Sequence, residues 1–210
     1  MIIKIKSMKP RVKLSVLLIS LGLITAFIPF KNNKANQLKP SELLEKLQDE
    51  QYLISVDQVA RYLVNEDSTV LVIDLRSSEE YKAFNIPGSI NIPYHELLHR
   101  NFSGYLDQRE VKNIFYSNGS ILASQAWALC AGMGYKNNFV MQGGMNEWYK
   151  TVMKSSFSGD RITARENALF EIRFKARKLF TEINSLPDSL KIKFVEAKRK
   201  KEKQLDGGCE

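Results

Sequence analysis

The chain holds only two cysteines and two histidines in 210 residues. Two cysteines are too few for a disulfide framework, so the fold must be stabilised by burial. No metal site and no cofactor are expected. Acidic residues are absent from positions 1–40, which carry eight Lys/Arg, whereas 41–149 carry eight bases against fourteen acids and 150–210 fifteen bases against nine acids. The overall charge of +8 therefore divides into +8, −6 and +6. Read whole, it would suggest nucleic acid or an anionic membrane. No aromatic or groove-reading motif accompanies the bases, so a nucleic-acid partner is not expected. A hydrophobic content of 44%, with 10% aromatic, is enough for a packed core and excludes a disordered chain.

Charge is also missing from Leu14 to Phe30, "LSVLLISLGLITAFIPF", between Lys13 and Lys31. As a helix this run spans roughly 26 Å, slightly less than the ~30 Å hydrocarbon core of a bilayer, and flanking lysines can snorkel to close the gap. Residues 14–30 are expected to form a transmembrane or signal-anchor helix. A cleaved signal peptide is the alternative, although no clear A-x-A site is present. Five bases precede the run and three follow it before residue 40, which places 1–13 in the cytoplasm and the bulk of the chain outside it, in the periplasm if the source has two membranes. Residues 31–42 read as a linker.

Residues 43–152 alternate strands with helices, the pattern of a parallel sheet covered by helices on both faces. "YLISV" is β-prone. In the following "SVDQVARYLVNED", Val56, Val59, Ala60 and Leu63 share one helical face with Ser55 as N-cap. "VLVID" at 70–74 is a continuous apolar run suited to burial on both faces. Ser77 or Ser78 caps "EEYKAF", and "NIPGSINIP" is an extended loop. "NIFYS" and "NNFVMQGG" are further strands, separated by a helix, "ASQAWALCAGMG", with Gly134 at its C′ position.

"VIDLRSSEEYKAFNIPGSINIP" resembles the rhodanese pattern D-x-R-x-x-x-E-[YF]-x-x-G-H-[IL]-P-G-[AS]-x-N-[IV]-P, and "GYKNNFVMQGGMNEW" resembles that family's closing stretch. The similarity covers roughly Tyr52 to Val152. It implies an α/β fold with a five-stranded parallel sheet flanked by helices, and an active-site loop after "NIFY". It also gives Asp74, Arg76, Glu80, Pro87, Gly88, Gly143, Gly144 and Trp148 structural roles, with Arg76 reaching Glu79 or Glu80. The family's Gly-His is replaced by Phe84-Asn85, a change expected to affect local packing.

A larger departure lies in the loop. Active relatives carry a six-residue loop that begins with the cysteine converted to a persulfide and ends with an arginine that holds the anionic substrate. Here that loop is Ser117, Asn118, Gly119, Ser120, Ile121 and Leu122. Sulfur transfer needs a low-pKa thiolate, and a serine hydroxyl does not ionise unaided. A Ser117 hydrolase would need a base, for which only His95 and His99 in "PYHELLHR" are available. The six loop residues remain candidates for weak binding of a small anion through backbone N–H groups.

Cys130 reads as a small buried hydrophobe, and Cys209, in "DGGCE", as an exposed tail thiol. If it reached the loop, Cys209 could serve as a displaced sulfur carrier. Residues 153–210 form a basic helical extension and flexible tail. Leu169, Ile172, Ala176, Leu179 or Phe180, and Ile183 make an apolar stripe, and Ser185, Pro187 and Asp188 start a second helix, so 163–203 is a helical hairpin. Its stripe could cover the acidic domain, self-associate or meet another protein, and its basic face could meet anionic lipid. These features point to a membrane-anchored rhodanese-like protein that lacks sulfurtransferase activity and acts as an interaction module.

Overall fold

The computed structural model describes residues 10–26, 39–156 and 163–206. The chain divides into two compact units, Met1–Asn36 and Gln37–Glu210. The first contains helix α1 (Pro10–Ala26), 17 residues long. It starts four residues before the charge-free run and includes Arg11 and Lys13, while 27–30, the end of the expected anchor, lie outside the described residues. Among the described residues no helix is long and apolar enough to cross a membrane.

The second unit opens with α2 (Pro40–Gln48), which begins in the stretch read as linker, 31–42, and runs into the domain. Pro40 stands at the first helical position, where its missing N–H costs nothing, and the Glu42 carboxylate accepts from the Lys39 amide at 3.4 Å. Five strands follow: β1 (Leu53–Ile54), β2 (Val70–Asp74), β3 (Ile90–Asn91), β4 (Lys112–Tyr116) and β5 (Asn138–Met141). They form one parallel sheet in the order β1-β5-β4-β2-β3. The expected five-stranded sheet is present, and it includes a strand that the sequence shows only as loop. Ile90 and Asn91 pair with Ile73 and Asp74 at the sheet edge, and Gly88 and Pro93 on either side keep β3 to two residues.

The central strands are buried on both faces. Leu71, Ile73 and Phe115 enter one layer with Trp127 and Cys130 of α6 (Ser120–Gly132). Val70, Val72, Ile114 and Tyr116 enter the other with Val59 and Ala60 of α3 (Val56–Val64) and Met145 and Trp148 of α7 (Gly144–Trp148). Two-sided burial is why "VLVID" shows no polar alternation. Ser55 caps α3 as expected, and Ser77 caps α4 (Ser78–Ala83) in a reciprocal pair with Glu80. A short α-helix, α5 (Ser103–Leu106), supplies buried Leu106 to the first layer.

The C-terminal hairpin comprises α8 (Ala164–Asn184) and α9 (Asp188–Asp206). The α8 stripe packs on the sheet's second layer through Ile172, Ala176 and Phe180, and Ala176 is fully buried. Arg173 grips Asp57 of α3 with two bonds of 2.6 and 2.7 Å. The Asn184 side chain accepts from the Asn85 amide at 2.9 Å and donates to its carbonyl at 2.8 Å. The α8 stripe is therefore covered by the chain's own domain.

Ala176→Asp should destabilise the protein by about 3–5 kcal/mol, the cost of a buried charge without compensation. Lys175→Ala, one residue away and exposed, should stay within about 0.5 kcal/mol. Urea unfolding followed by circular dichroism measures both. Equal stability of the two variants would contradict the packing of α8 on the sheet.

Candidate functional site

Strand β4 ends at Tyr116, and residues 117–122 turn into α6 at the carboxyl edge of the sheet, where open α/β folds place ligands. Ser117 is 5% exposed, and its hydroxyl donates to the Gly119 carbonyl at 3.0 Å. The Asn118 side chain donates to Glu80 Oε1 at 2.7 Å, and Ser120 Oγ accepts from the Gly143 amide at 2.7 Å. Ile121 is 79% exposed, whereas Leu122 is turned toward the first core layer. The position to which the resemblance assigns an anion-holding arginine thus packs, partly buried, against the core.

The loop backbone is fixed from the opposite side. The carbonyls of Ser117 and Asn118 accept from the amides of Met145 and Asn146, at 2.8 and 3.1 Å. Gly143 and Gly144 have φ of +74° and +59°, and a Cβ on Gly144 would collide with the Ser117 carbonyl oxygen. Only glycine allows both that backbone conformation and that approach. Trp148, four residues on, is fully buried in the second layer. These contacts account for "GGMNEW".

Asp74 and Arg76 are buried beside the loop. Arg76 donates to Asp74 through its backbone amide (2.9 Å), Nε (3.0 and 3.2 Å) and Nη2 (2.6 Å), and through Nη2 to the Phe84 carbonyl (2.8 Å). It does not reach Glu79 or Glu80 as the resemblance implied, because Asp74, two residues back, already occupies its Nε and Nη2. Burial alone would lower the guanidinium pKa, but the bonds and charge of Asp74 outweigh it and hold it above its ordinary value. Arg76 still ties the strand end to the next helix, since Phe84 is the C-cap of α4. Its guanidinium lies 5.0 Å from the Phe84 ring centre and 5.6 Å from that of Tyr116. The Tyr116 hydroxyl accepts from the Ile86 amide at 3.1 Å and lies 3.2 Å from Ser89 Oγ, bracing the segment that contains buried Pro87 and Gly88.

Among the described residues Ser117 has no base as partner. His95 and His99 are exposed beyond β3; the His95 ring lies 3.5 Å from the Glu96 carboxylate, and His99 Nδ1 accepts from the Asn101 amide at 3.5 Å. The Cys130 thiol is fully buried, and burial pushes its pKa up to about 12, so it supplies no thiolate near neutral pH. Cys209 lies outside the described residues. Glu80 is the nearest described acid to the loop: the hydrogen bond from Asn118, helped by the Ser77 amide, holds its carboxyl below the usual carboxylate range. An ionised carboxylate at the loop rim opposes an anionic ligand.

Two features escape sequence reasoning. Phe84, at a departure from the family pattern, covers Arg76, and adjacent Asn85 is the point gripped by Asn184. The departure was visible, but nothing marked Asn184 as its partner. A surface cleft also opens beside the loop, lined by Phe84, Asn118, Asn146, Trp148, Tyr149 and Phe180.

The chain is similar to proteins of known activity. It is 27% identical over 118 residues to the thiosulfate:glutathione sulfurtransferase of Saccharomyces cerevisiae, covering 51% of this chain and 81% of that one. It is 24% identical over 106 residues to a mitochondrial thiosulfate sulfurtransferase of the same yeast, covering 46% and 71%. A crystal structure of a Bacillus halodurans protein is 22% identical, with a TM-score of 0.45, over 62% of this chain and 99% of that one. The model of the rhodanese-like domain matches residues 39–151, more than half of the chain. With that match, the parallel sheet and the loop following β4, this chain belongs to the rhodanese-like domain family.

Proposed function

We propose that this chain is a rhodanese-like module that does not transfer sulfur and acts by binding. One observation carries this reading: the side chain where the family places its nucleophile is a buried serine hydroxyl, bonded to the Gly119 carbonyl, with no base beside it among the described residues. Two further features support it. Leu122 packs against the core, and among the described residues the charged side chain hydrogen-bonded to the loop, Glu80, has the wrong sign for thiosulfate. The cleft beside Asn118 is the natural binding surface, because it combines aromatic side chains with two amides. Its composition suits a polar or apolar group of a partner protein better than a small anion.

The charge-free run 14–30, behind five bases, supports a membrane-anchored form of this module with its bulk outside the cytoplasm. Resistance to carbonate extraction is the expected result. Recovery of the mature chain in the soluble fraction would establish the cleaved-signal alternative.

The full chain should show no thiosulfate:cyanide sulfurtransferase turnover. Ser117→Cys alone should restore little of it, since Leu122 still supplies no guanidinium. Wild-type turnover that Cys209→Ser abolishes would overturn the proposal in favour of a tail-borne sulfur carrier.

The Asn118–Glu80 contact sets a second expectation. A carboxyl whose pKa is depressed in the folded state contributes stability above its unfolded pKa and loses that contribution as pH falls through the folded value. Asn118→Ala should bring the Glu80 titration, followed by NMR, up toward the ordinary 4.5. Its stability deficit should be present at pH 7 and disappear in acid. A Glu80 midpoint unmoved by Asn118→Ala would show that Asn118 does not hold the carboxylate.

A further inference from the structure

The two helices of the C-terminal hairpin are attached by different physics. α8 is fastened by buried apolar contacts and a bidentate ion pair. α9 reaches the domain chiefly through long cationic side chains. Lys191 Nζ donates to the Lys82 carbonyl at 3.4 Å, the Arg199 guanidinium meets the hydroxyl and ring of Tyr105, and Lys201 pairs with Glu66 at 2.9 Å. The Lys198 stem crosses Gly88. Of the α9 side chains, Val195 packs on the core, and it is only partly buried.

The seam is also loosely filled. One cleft, lined in part by Tyr81, Asn85, Ile192 and Val195, opens along the α4 side, and a second, lined in part by Leu63, Pro87 and Phe194, opens by the end of α3. Exposed ion pairs of this kind contribute little and weaken with salt. The exposed side of α9 carries Lys193 and Lys200 with one acid, Glu196, and is flanked by Leu190 and by Ile192 at the mouth of the first cleft, 44% and 57% exposed. Between 191 and 203 the helix has seven bases and two acids. The acidic domain engages part of that charge, and leaving it frees the whole helix.

We propose that α9 is a contact surface for an anionic lipid bilayer, reached by exchanging its electrostatic seat on the β3 side of the domain for the membrane. Its composition fits such a surface: clustered bases with exposed aliphatic side chains are what an interfacial helix needs. Anionic lipid shifts the equilibrium because the undocked helix offers it more positive charge than the docked one, and only such a difference in affinity can move a population. Polar docking of α9 beside apolar docking of α8 makes the helix separable without unfolding the sheet. This holds whether or not residues 14–30 anchor the chain, and whether or not the loop is catalytically silent.

Hydrogen exchange on the full chain tests this, with phosphatidylcholine vesicles compared against vesicles of phosphatidylcholine with phosphatidylserine. The N-terminal bases prefer anionic lipid as well, so the readout is local to α9. With phosphatidylserine, exchange in 189–203 should slow and exchange in 85–91 should quicken, each by about tenfold. Lys193→Glu with Lys200→Glu, which leaves the docking contacts in place, should remove most of the slowing, as should added salt. Identical α9 exchange on both lipids would overturn the proposal. So would slowing that survives the double substitution and high salt, or slowing produced by a DNA duplex and not by vesicles.

Discussion

The bonds from the Met145 and Asn146 amides to the carbonyls of Ser117 and Asn118 hold the region together. They join the end of β4 to the start of α7, and they form only because Gly144 lets the two backbones touch. Each is worth about 1 kcal/mol net, but their effect on geometry is larger. They fix the loop from its backbone, independently of the side chain at position 117. A scaffold built that way can lose its reactive side chains and keep its shape. Here a hydroxyl, an amide and a leucine occupy the loop that follows β4.

The same separation of scaffold from chemistry extends to the C-terminal helices. A parallel sheet must be covered on both faces, and α8 shares the second face with α3 and α7 through Ile172, Ala176 and Phe180. Its last turn is fastened at Asn85, beside the Phe84 that covers Arg76. Asn85, one of the residues at which the chain departs from the family pattern, is thus bonded to the helix appended to the domain. α9 lacks such anchorage and is held mainly by charge, so one hairpin contains both a structural element and a separable one.

Much of the fold was legible because its causes are local or periodic. "VLVID" reads as a doubly buried strand, Ser55 and one of Ser77 and Ser78 read as caps, and the 3.6-residue recurrence from Leu169 to Ile183 reads as α8; all are present, with Ser77 as the second cap. β3 was hidden because two residues between glycine and proline carry no pattern. The partner of the α8 stripe was hidden because periodicity shows that a face is apolar without showing what covers it. In the loop, the identities of Ser117 and Leu122 were plain, but their orientations were not: whether Leu122 faces the loop or the core depends on the packing of α6. The link between Asn118 and Glu80, 38 residues apart, has no sequence signature at all.

Whether any sulfur of this protein carries a substrate sulfane atom is the most direct question for the account. Intact-mass measurement of the full chain after incubation with thiosulfate, followed by peptide mapping of both cysteines, answers it without relying on a chosen acceptor. Cys130 is buried with its thiol protonated near neutral pH, Ser117 cannot hold a persulfide, and the proposed function gives Cys209 no part in sulfur transfer, so the mass should be unchanged. A gain of one sulfur atom, mapped to either cysteine and lost again to an added thiol or cyanide, would contradict the account and make the chain a sulfur carrier.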